Sequence, residues 1–304
     1  MNTGLGDSAP PAIALQSVIY NNEAEAVIRA AIALSVSAGI AARDGLISAW
    51  SLQLGNCSPE LILSDAQRAK MTKAVELHGG TLTLTHFGEN LGHGGGHNRL
   101  AANGTAELLA FVNPDGLVDP GTVGALVRAL GDGVGIVDAR QIPLEHPKEY
   151  DQATGETEWA SGALALIRRS VFVEVGGFDS ETFFLYCDDV DLSWRVRMAG
   201  YRIVHAPAAR LFHDKRLTVT ADYEPSDAEM YYSAEATLLL AHKFGRPDIV
   251  DSVMKLYDDD HQDHIVRAVA EFRRRESADE LPQVISNAQT VASFDKGFYA
   301  DHRF

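Results

Sequence analysis

The N-terminal part of the chain alternates between short apolar runs and segments of helical composition. The apolar runs, at 12–19, 46–54, 81–85 and 106–112, predict buried strands. The segments that follow them, at 23–38, 65–77, about 98–102 and 120–130, predict helices. Parallel strands need crossover connections, usually helices, so this order is typical of an α/β fold with a largely parallel central sheet.

The C-terminal part predicts fewer strands and more helix. Residues 159–167 and 201–206 indicate strands, and 211–214 ends another. A helix is predicted over 192–199, stopped by Gly200, and a long amphipathic helix over 227–244. Further helical sequence runs from about 247 to 276. The tail, 277–304, has weak periodicity, and we expect it to be loosely attached.

Composition restricts the kinds of partner. With 26 Lys and Arg against 42 Asp and Glu, the formal net charge of the 304 residues is −16, which disfavours nucleic acid and anionic lipid as ligands. Cys57 and Cys187 do not make a disulfide framework, which favours a reducing cytoplasm. Residues 1–11 lack the features of a signal peptide. The apolar stretch 24–42 is interrupted by polar residues and predicts a buried helix, not a membrane span.

Polar clusters follow three of the predicted strands, at 20–22, 56–58 and 113–115. In α/β sheets, ligands bind at the carboxyl ends of the strands. We therefore expect these clusters to meet in one crevice.

Asp115 lies in a turn that follows an apolar strand, between Pro114 and Gly116. A carboxylate there is able to hold Mg²⁺ or Mn²⁺ against a diphosphate, since hard cations use carboxylate and phosphate oxygens. Asn-Pro-Asp-Gly is also ordinary turn chemistry, and on the residues alone the turn is favoured. His213 gains weight as a ligand only if Asp115 is close in space.

An acidic run, Asp188, Asp189 and Asp191, follows an aromatic segment at 183–186. One interpretation is helix capping, because Asp is favoured at the cap and in the first turn. The other is a general base, because crowding with like charges and partial burial both raise the pKa of a carboxyl.

A glycine-rich stretch, 88–96, precedes the short predicted helix. It predicts a loop whose backbone amides approach a phosphate or a ribose. It does not have the P-loop pattern, and the dinucleotide fingerprint fails because His97 or Arg99 occupies its last glycine position. His93 and His97 have the spacing of a helical zinc site, but the glycines between them make a helix improbable, so we set zinc aside.

Four segments together resemble the family 2 glycosyltransferases, in particular their bacterial rhamnosyltransferase-like branch. The segments are Val18-Ile-Tyr-Asn-Asn22, Asn90-Leu-Gly through Gly96-His-Asn98, Phe111-Val-Asn-Pro-Asp115, and the long block from Ala160-Ser-Gly-Ala through Val175-Gly-Gly-Phe-Asp179 and Tyr186-Cys-Asp-Asp-Val-Asp-Leu192 to Ala199-Gly-Tyr-Arg202 and His213. The likeness covers roughly residues 12–245.

The resemblance implies a Rossmann-like GT-A fold with a mostly parallel sheet flanked by helices, and a C-terminal helical extension. It implies a catalytic domain over 1–215, with a nucleotide-binding half at about 10–118 and an acceptor half at 119–215, and an extension over 216–304. It also implies an inverting transfer of sugar from a UDP- or dTDP-sugar to a hydroxyl acceptor, with a divalent cation, Mn²⁺ or Mg²⁺. The acceptor is expected in cell-surface polysaccharide or glycoconjugate synthesis, and contact with the inner face of a membrane is compatible with it.

Residue by residue, the resemblance implies that Asp115 and His213 bind the metal and that Asp189 is the catalytic base, with Asp188 beside it. Asn113 stands in the place of the first Asp of the family's metal motif. The expected donor-binding residues come from four regions of the chain: Tyr20, Asn21, Asn22, Asn56, Asn90, Gly92, Gly96, Asn98, Asn113, Ser161 and Gly162.

The chain departs from the family pattern at the end of the second strand. The family usually has an Asp there that helps to hold the base or ribose, whereas this chain has Gly55, followed by Asn56, which could substitute in part. The departure keeps open a degenerate relative that binds ligand without transfer. A nucleotidyltransferase is a second alternative, although a glycine- and basic-rich loop after the first strand is lacking; a nicotinamide dehydrogenase is less favoured still.

Overall fold

The computed structural model describes residues 9–145, 148–213, 225–258, 260–295 and 297–300. The N-terminal residues 1–8, Asp214 and the expected domain boundary near 215 lie outside the described residues, as do the last four residues of the tail.

The described chain is a mixed α/β structure. Its strands are β1 (Ala12–Ile19), β2 (Ala49–Asn56), β3 (Thr81–His86), β4 (Leu108–Val112), β5 (Leu117–Val118), β6 (Val134–Ile142), β7 (Glu156–Thr157), β8 (Leu164–Arg168) and β9 (Arg202–Phe212). Its helices are α1 (Ala24–Arg43), α2 (Asp65–Leu77), α3 (Gly92–Ala101), α4 (Thr122–Ala129), α5 (Arg169–Glu174), α6 (Asp188–Met198), α7 (Asp227–Lys243), α8 (Pro247–Asp258) and α9 (Asp263–Ser277), with a short 3₁₀ helix at Ala288–Thr290.

One sheet runs through the described part of the molecule, in the order β3-β2-β1-β4-β8-β6-β9-β5, with β7 paired to β9. The strands β3, β2, β1 and β4 are parallel, as the alternation predicts. β8 runs antiparallel to both of its neighbours, β4 and β6, which places its N-terminal end beside the carboxyl end of β4. β6 and β9 are parallel to each other. The carboxyl ends of β1, β2, β4, β6 and β9 and the start of β8 therefore share one edge.

Helix α1 packs into the main hydrophobic core. It is long and apolar enough to cross a membrane by length and composition, with a mean hydropathy of 1.6. It buries Val27, Ile28 and Leu34 in the core beneath the sheet, which explains its apolar character. The predicted helix over 23–38 is too short at its C-terminal end, because α1 continues to Arg43. A Cβ at Gly39 would lie 2.9 Å from Cβ of His78, so glycine is required there by close packing.

Helix α3 contradicts the predicted glycine-rich loop. The glycines of 92–96 lie inside this helix, which starts six residues before the expected position, and His93 and His97 are therefore helical after all. Each glycine in a helix costs about 1 kcal/mol relative to alanine. Packing explains the exception, since a Cβ at Gly94 would lie 2.7 Å from Phe178 and one at Gly96 would lie 2.6 Å from Val18.

Elements in the second half of the chain also differ from the prediction. The runs at 201–206 and 211–214 belong to one strand, β9, with an irregularity after Ala206 in its pairing with β6. This irregularity accommodates Pro207, which has no N–H to donate. The sequence reading did not identify β6 as a strand. Helix α6 starts at Asp188, four residues before the predicted start.

The C-terminal helices share a core with the rest of the protein. Phe183, Val190 and Trp194 pack in one hydrophobic cluster with residues of α7, α8 and α9. Within the described residues the tail is not loosely attached, since Ala288 and Ala292 are buried in this cluster. The backbone carbonyl of Val291 also accepts a hydrogen bond from Arg197 at 2.8 Å.

Candidate active site

The loops after β1 and β2 meet, as the sequence predicts. The backbone N–H of Asn21 donates to Oγ of Ser58 at 2.8 Å, and Oδ1 of Asn22 accepts from the backbone N–H of Tyr20 at 2.9 Å. Asn21 has a φ of 53°, a left-handed conformation that asparagine adopts more readily than most residues. The ring of Tyr20 is 47% exposed at this edge and is available to a planar ligand.

Asn56 is buried beneath this loop. Its side-chain amide donates to the carbonyl of Glu60 at 2.9 Å and lies 3.0 Å from Nδ1 of His86. The buried amide therefore supports the loop rather than facing solvent.

Phe87 fills the space next to Gly55. A Cβ at position 55 would lie 2.6 Å from Cε2 of Phe87, closer than side chains approach without movement. The guanidinium of Arg99 lies over the Phe87 ring, 4.9 Å from its centroid. An Asp at position 55, as in the family pattern, would require the Phe87 ring to move.

The start of α3 packs against Phe184, and its later part packs against Val18 and Phe178. Gly92 has a φ of 68°, and a Cβ there would lie 2.2 Å from the carbonyl oxygen of Phe184. Oδ1 of Asn90 accepts from the backbone N–H of Gly92 at 3.2 Å. The side-chain amide of Asn98 donates to the backbone carbonyl of Phe178 at 2.8 Å and accepts from its backbone N–H at 2.9 Å. The packed positions of Gly96 and Asn98 fit a structural task better than the direct donor contact that we expected.

The loop after β4 brings the expected metal ligands together. Oδ1 of Asp115 lies 3.5 Å from Nε2 of His213, which follows β9, and the side-chain amide of Asn113 lies 3.4 Å from the same nitrogen. The Asp115 side chain is 47% exposed and that of His213 is 13% exposed. The sequence condition for His213, closeness to Asp115, is therefore met.

This pair fits a divalent cation that takes its other ligands from phosphate. One carboxylate oxygen and one imidazole nitrogen suit Mn²⁺ or Mg²⁺ bound mainly by a diphosphate. Nδ1 of His213 is buried and has no hydrogen-bond partner among the described residues, so the ring is not committed elsewhere through that atom. No group of three or more His, Cys, Asp or Glu side chains in the described chain could hold a metal by itself.

A strained turn sets the direction of the acidic run. Tyr186 and Cys187 have φ values of 65° and 56°. Left-handed conformations cost non-glycine residues of order 1–3 kcal/mol and cluster at functional sites. Cys187 is the N-cap of α6 and makes no side-chain cap hydrogen bond, and the three aspartates lie in the first turn, the other position that the capping interpretation named. Cys187, like Cys57, is buried and not in a disulfide.

The three aspartates have separate partners. Oδ2 of Asp189 accepts from the backbone N–H of Gly162 at 2.8 Å. Oδ2 of Asp188 lies 2.6 Å from Nδ1 of His93. Asp191 is fully buried and binds Arg195 and Lys243. Asp191 is therefore a structural ion-pair partner, while the other two line the edge of the sheet.

The pKa of Asp189 is raised to about 6. Burial is the largest cause, and the negative charge of Asp188 adds to it. The hydrogen bond from Gly162 and the nearby His93 act in the opposite direction. A carboxyl with this pKa has the basicity that suits proton abstraction near neutral pH.

His93 is a site residue that the sequence reading did not assign. Burial acts to lower its pKa, but the ion pair with Asp188 outweighs it, so the pKa is raised. Its ring lies 4.7 Å from that of His97, whose pKa burial holds well below its usual value. A Cβ at Gly162 would lie 3.0 Å from Cε1 of His93, so imidazole and loop are in close contact. The only indication of His93 in the sequence was its spacing of four residues from His97, which places both on one face of a helix.

Ser161 and Gly162 belong to the segment 160–163, which contacts both Asp189 and the loop after β4. The backbone N–H of Asn113 donates to the carbonyl of Ala163 at 2.9 Å, which ties the 160–163 segment to the loop after β4. Gly162 binds Asp189 at the other side. One short segment thus connects Asp189 to the loop that carries Asp115.

Sequence comparison relates parts of the chain to known rhamnosyltransferases. No protein-family model matches the chain. It is 31% identical over 180 residues to the N-acetylglucosaminyl-diphospho-decaprenol L-rhamnosyltransferase of Mycobacterium tuberculosis, covering 43% of this chain and 58% of that protein. It is 40% identical over 67 residues to the rhamnosyltransferase WbbL of Escherichia coli K12, covering 22% and 25%. The chain thus spans little more than half the length of the mycobacterial relative.

A solved structure supports the fold. The chain superposes on the mannosyltransferase PcManGT of Pyrobaculum calidifontis, solved with GDP-Man and Mn²⁺, with a TM-score of 0.53. The two are 14% identical, and the match covers 92% of this chain and 83% of that one. At this identity the likeness concerns the fold alone.

The sheet order, the shared edge and these matches define a protein of the GT-A glycosyltransferase fold. Within that class, the sequence matches confirm the resemblance to the rhamnosyltransferase-like branch of family 2 that the motifs indicate.

Proposed function

We propose that this protein is an inverting glycosyltransferase that moves a sugar from a UDP- or dTDP-sugar to a hydroxyl acceptor. The observation that carries the proposal is the position of Asp189. Its carboxylate is held by Gly162 on a segment whose other end is hydrogen-bonded to the Asp115 loop. The side chains that we propose as the base and as the cation ligands therefore lie at one edge of the sheet, where α/β proteins bind ligands.

In the proposed reaction, Asp189 accepts the proton of the acceptor hydroxyl as the hydroxyl oxygen attacks the anomeric carbon. Asp115 and His213 would hold the divalent cation, and that cation, when bound, neutralises charge on the leaving diphosphate. Tyr20, Asn21 and Asn22 border the nucleotide, with Asn56 beneath them. Asn90, Gly92, Asn113, Ser161 and Gly162 line the remainder of the donor site, and Gly96 and Asn98 support it through packing.

The proposed acceptor is a lipid-linked or other glycan of the cell surface, and the proposed sugar is a deoxyhexose such as L-rhamnose. Support comes from the mycobacterial relative, whose name states that it transfers L-rhamnose to a decaprenol-linked N-acetylglucosamine. Such an acceptor would bring the protein to the cytoplasmic face of a membrane through its substrate. We also propose the division into a catalytic domain, 1–215, and an extension, 216–304.

Incubation with a panel of nucleotide sugars and Mn²⁺ tests the activity. We expect slow release of the nucleoside diphosphate from one donor without acceptor, and faster release with a polyprenyl-diphosphate-linked sugar. Thermal stabilisation by nucleotide sugars without any turnover would instead support a degenerate binding protein, which the retained Asp115, Asp189 and His213 disfavour. Release of diphosphate from a nucleoside triphosphate would support a nucleotidyltransferase.

A further inference from the structure

A buried group of three ionisable residues lies behind the 160–163 segment. Asp138 on β6 has a fully buried side chain that forms an ion pair with Lys148. Its other oxygen, Oδ1, lies 3.0 Å from Nδ1 of His205 on β9. All three side chains are at most 1% exposed. The group is not part of the proposed chemistry.

The charges inside this group stabilise the ionised carboxylate. Burial acts to raise the pKa of Asp138, but Lys148 and the hydrogen bond from His205 outweigh it, and the pKa is lowered. Lys148 also lies over the ring of Trp159, 4.5 Å from its centroid. A buried charge without its partner is strongly destabilising, so the three residues constrain one another's positions.

Asp138 also binds the 160–163 segment directly. Its Oδ2 accepts from the backbone N–H of Ser161 at 3.0 Å. Gln141, three residues further along β6 towards the shared edge of the sheet, donates from Nε2 to Oγ of Ser161 at 2.7 Å. The next residue, Gly162, donates to Asp189. Two hydrogen bonds to adjacent residues of one backbone segment therefore connect the buried carboxylate of Asp138 to the proposed base, Asp189.

We infer that Asp138, held by Lys148 and His205, is a positioning residue that fixes the 160–163 segment so that Gly162 meets Asp189. This inference rests on the proposed function, because it assigns a role in the transfer reaction. The inference predicts the direction in which the pKa of Asp189 changes. If the segment loosens, the N–H of Gly162 no longer stabilises ionised Asp189, and the base becomes harder to ionise.

The charged groups that face Asp189 are Asp188 from its own helix and His93 from α3. Among the described residues, Asp138 contacts Lys148, Ser161 and His205 rather than either of these, so a change at Asp138 reaches Asp189 through the 160–163 segment. The experiment measures kcat and KM for the donor against pH in the full chain, using the donor and acceptor that support wild-type turnover.

We expect Asp138→Asn to lower kcat by about tenfold or more, the scale for a small misplacement of reacting groups, with the KM for donor little changed. The acidic limb of kcat should move to higher pH. The double variant Asp138→Asn/Lys148→Met removes the unpaired buried cation and should show the same shift if the single variant does not fold. Gln141→Leu leaves Asp138, Lys148 and His205 in place and should shift the limb in the same direction, by less.

Glu235→Gln is the matched control, since Glu235 is a buried carboxylate paired with Arg275 at 3.2 Å in the helical extension. It should leave the acidic limb at its wild-type position, because Glu235 does not contact the 160–163 segment or Asp189. The inference is overturned if the folded Asp138 or Gln141 variants also keep the wild-type limb, as the control does. Absence of turnover in the wild-type protein with every donor would instead refute the proposed function.

Discussion

The backbone N–H of Gly162 donates to Oδ2 of Asp189 at 2.8 Å, while Oδ1 of Asp189 accepts from the N–H of Val190. These bonds fix the carboxylate plane, and burial with the neighbouring Asp188 raises the pKa of Asp189 to about 6. The pKa of an unperturbed aspartate is about 4. In the proposed reaction Asp189 must be ionised to accept a proton, so we expect the rate of transfer to depend on this shift.

The first prediction concerns pH. On the acidic side of the pH profile, kcat/KM should reach its plateau near neutral pH. It should fall as the pH decreases through about 6, where Asp189 becomes protonated. The measurement is initial rate against pH at a saturating Mn²⁺ concentration. The apparent value belongs to the interacting group of Asp188, Asp189 and His93. A limb near about pH 4, the ordinary aspartate range, would contradict the proposed environment of the base.

The second prediction concerns Asp189→Asn. Turnover should fall by about 10²-fold or more, the scale for losing a general base, while donor and metal affinity stay nearly unchanged. The variant should also be more stable than wild type at pH 8. Because the folded pKa lies above the unfolded value, ionised Asp189 destabilises the fold, increasingly from about pH 4 to 6 and fully above that. Melting temperatures at pH 8 and pH 4 test this, since the gain should vanish at the lower pH.

Asp188→Asn is the matched variant for the adjacent carboxylate. Removing its charge takes away a contribution that raises the pKa of Asp189, so the acidic limb should move to lower pH. It also leaves buried His93 without its ion-pair partner, which should lower the melting temperature. Turnover at neutral pH should fall less than for Asp189→Asn. If Asp188→Asn is the inactive and stable variant, the two roles are reversed.

The third prediction concerns metal. Asp115→Ala should abolish Mn²⁺-dependent turnover and weaken donor binding, with the melting temperature unchanged because the side chain is about half exposed. Calorimetric titration of the donor with and without Mn²⁺ measures the effect. Asp119→Ala is the control, an exposed carboxylate in the same region that lies 3.6 Å from Arg210. Activity that survives both chelator and Asp115→Ala would refute the metal-dependent mechanism.

Elements with a local signal were predictable from the sequence. The bounds of α2, Asp65–Leu77, agree with the prediction, because Ser64 and Gln67 form a capping box at its start. Helix α3 was missed because its stability comes from tertiary packing: its glycines let the helix approach Val18 and Phe178, and no propensity rule contains that information. β9 was divided in two at Pro207 because the irregular pairing that tolerates proline is a property of its neighbour β6.

The site shows the same division between local and long-range information. The motifs indicated Asp115, Asp189 and His213 individually, but the 3.5 Å approach of Asp115 and His213 depends on the pairing of β5 with β9. Asp138 carried no motif signal, since Lys148 and His205 reach it from separate segments. The charge pattern of the sequence could not show which acidic residues are buried with partners.

The last prediction concerns Gly55 and nucleotide selectivity. The wild-type protein, which lacks the family's Asp at this position, should bind UDP and dTDP with measurable and similar affinity. Gly55→Asp alone should lower stability, because its Cβ would lie 2.6 Å from Phe87, and overpacking of this kind costs about 1–3 kcal/mol. Gly55→Asp/Phe87→Ala makes room for the carboxylate and should bind one of the two nucleotides more tightly than Phe87→Ala, its control, does. Calorimetry with both nucleotides gives the comparison. An exclusive preference of the wild-type protein for one base would show that another residue has taken over the role of the missing Asp, and equal affinities in the double variant and its control would show that position 55 does not contact the nucleotide.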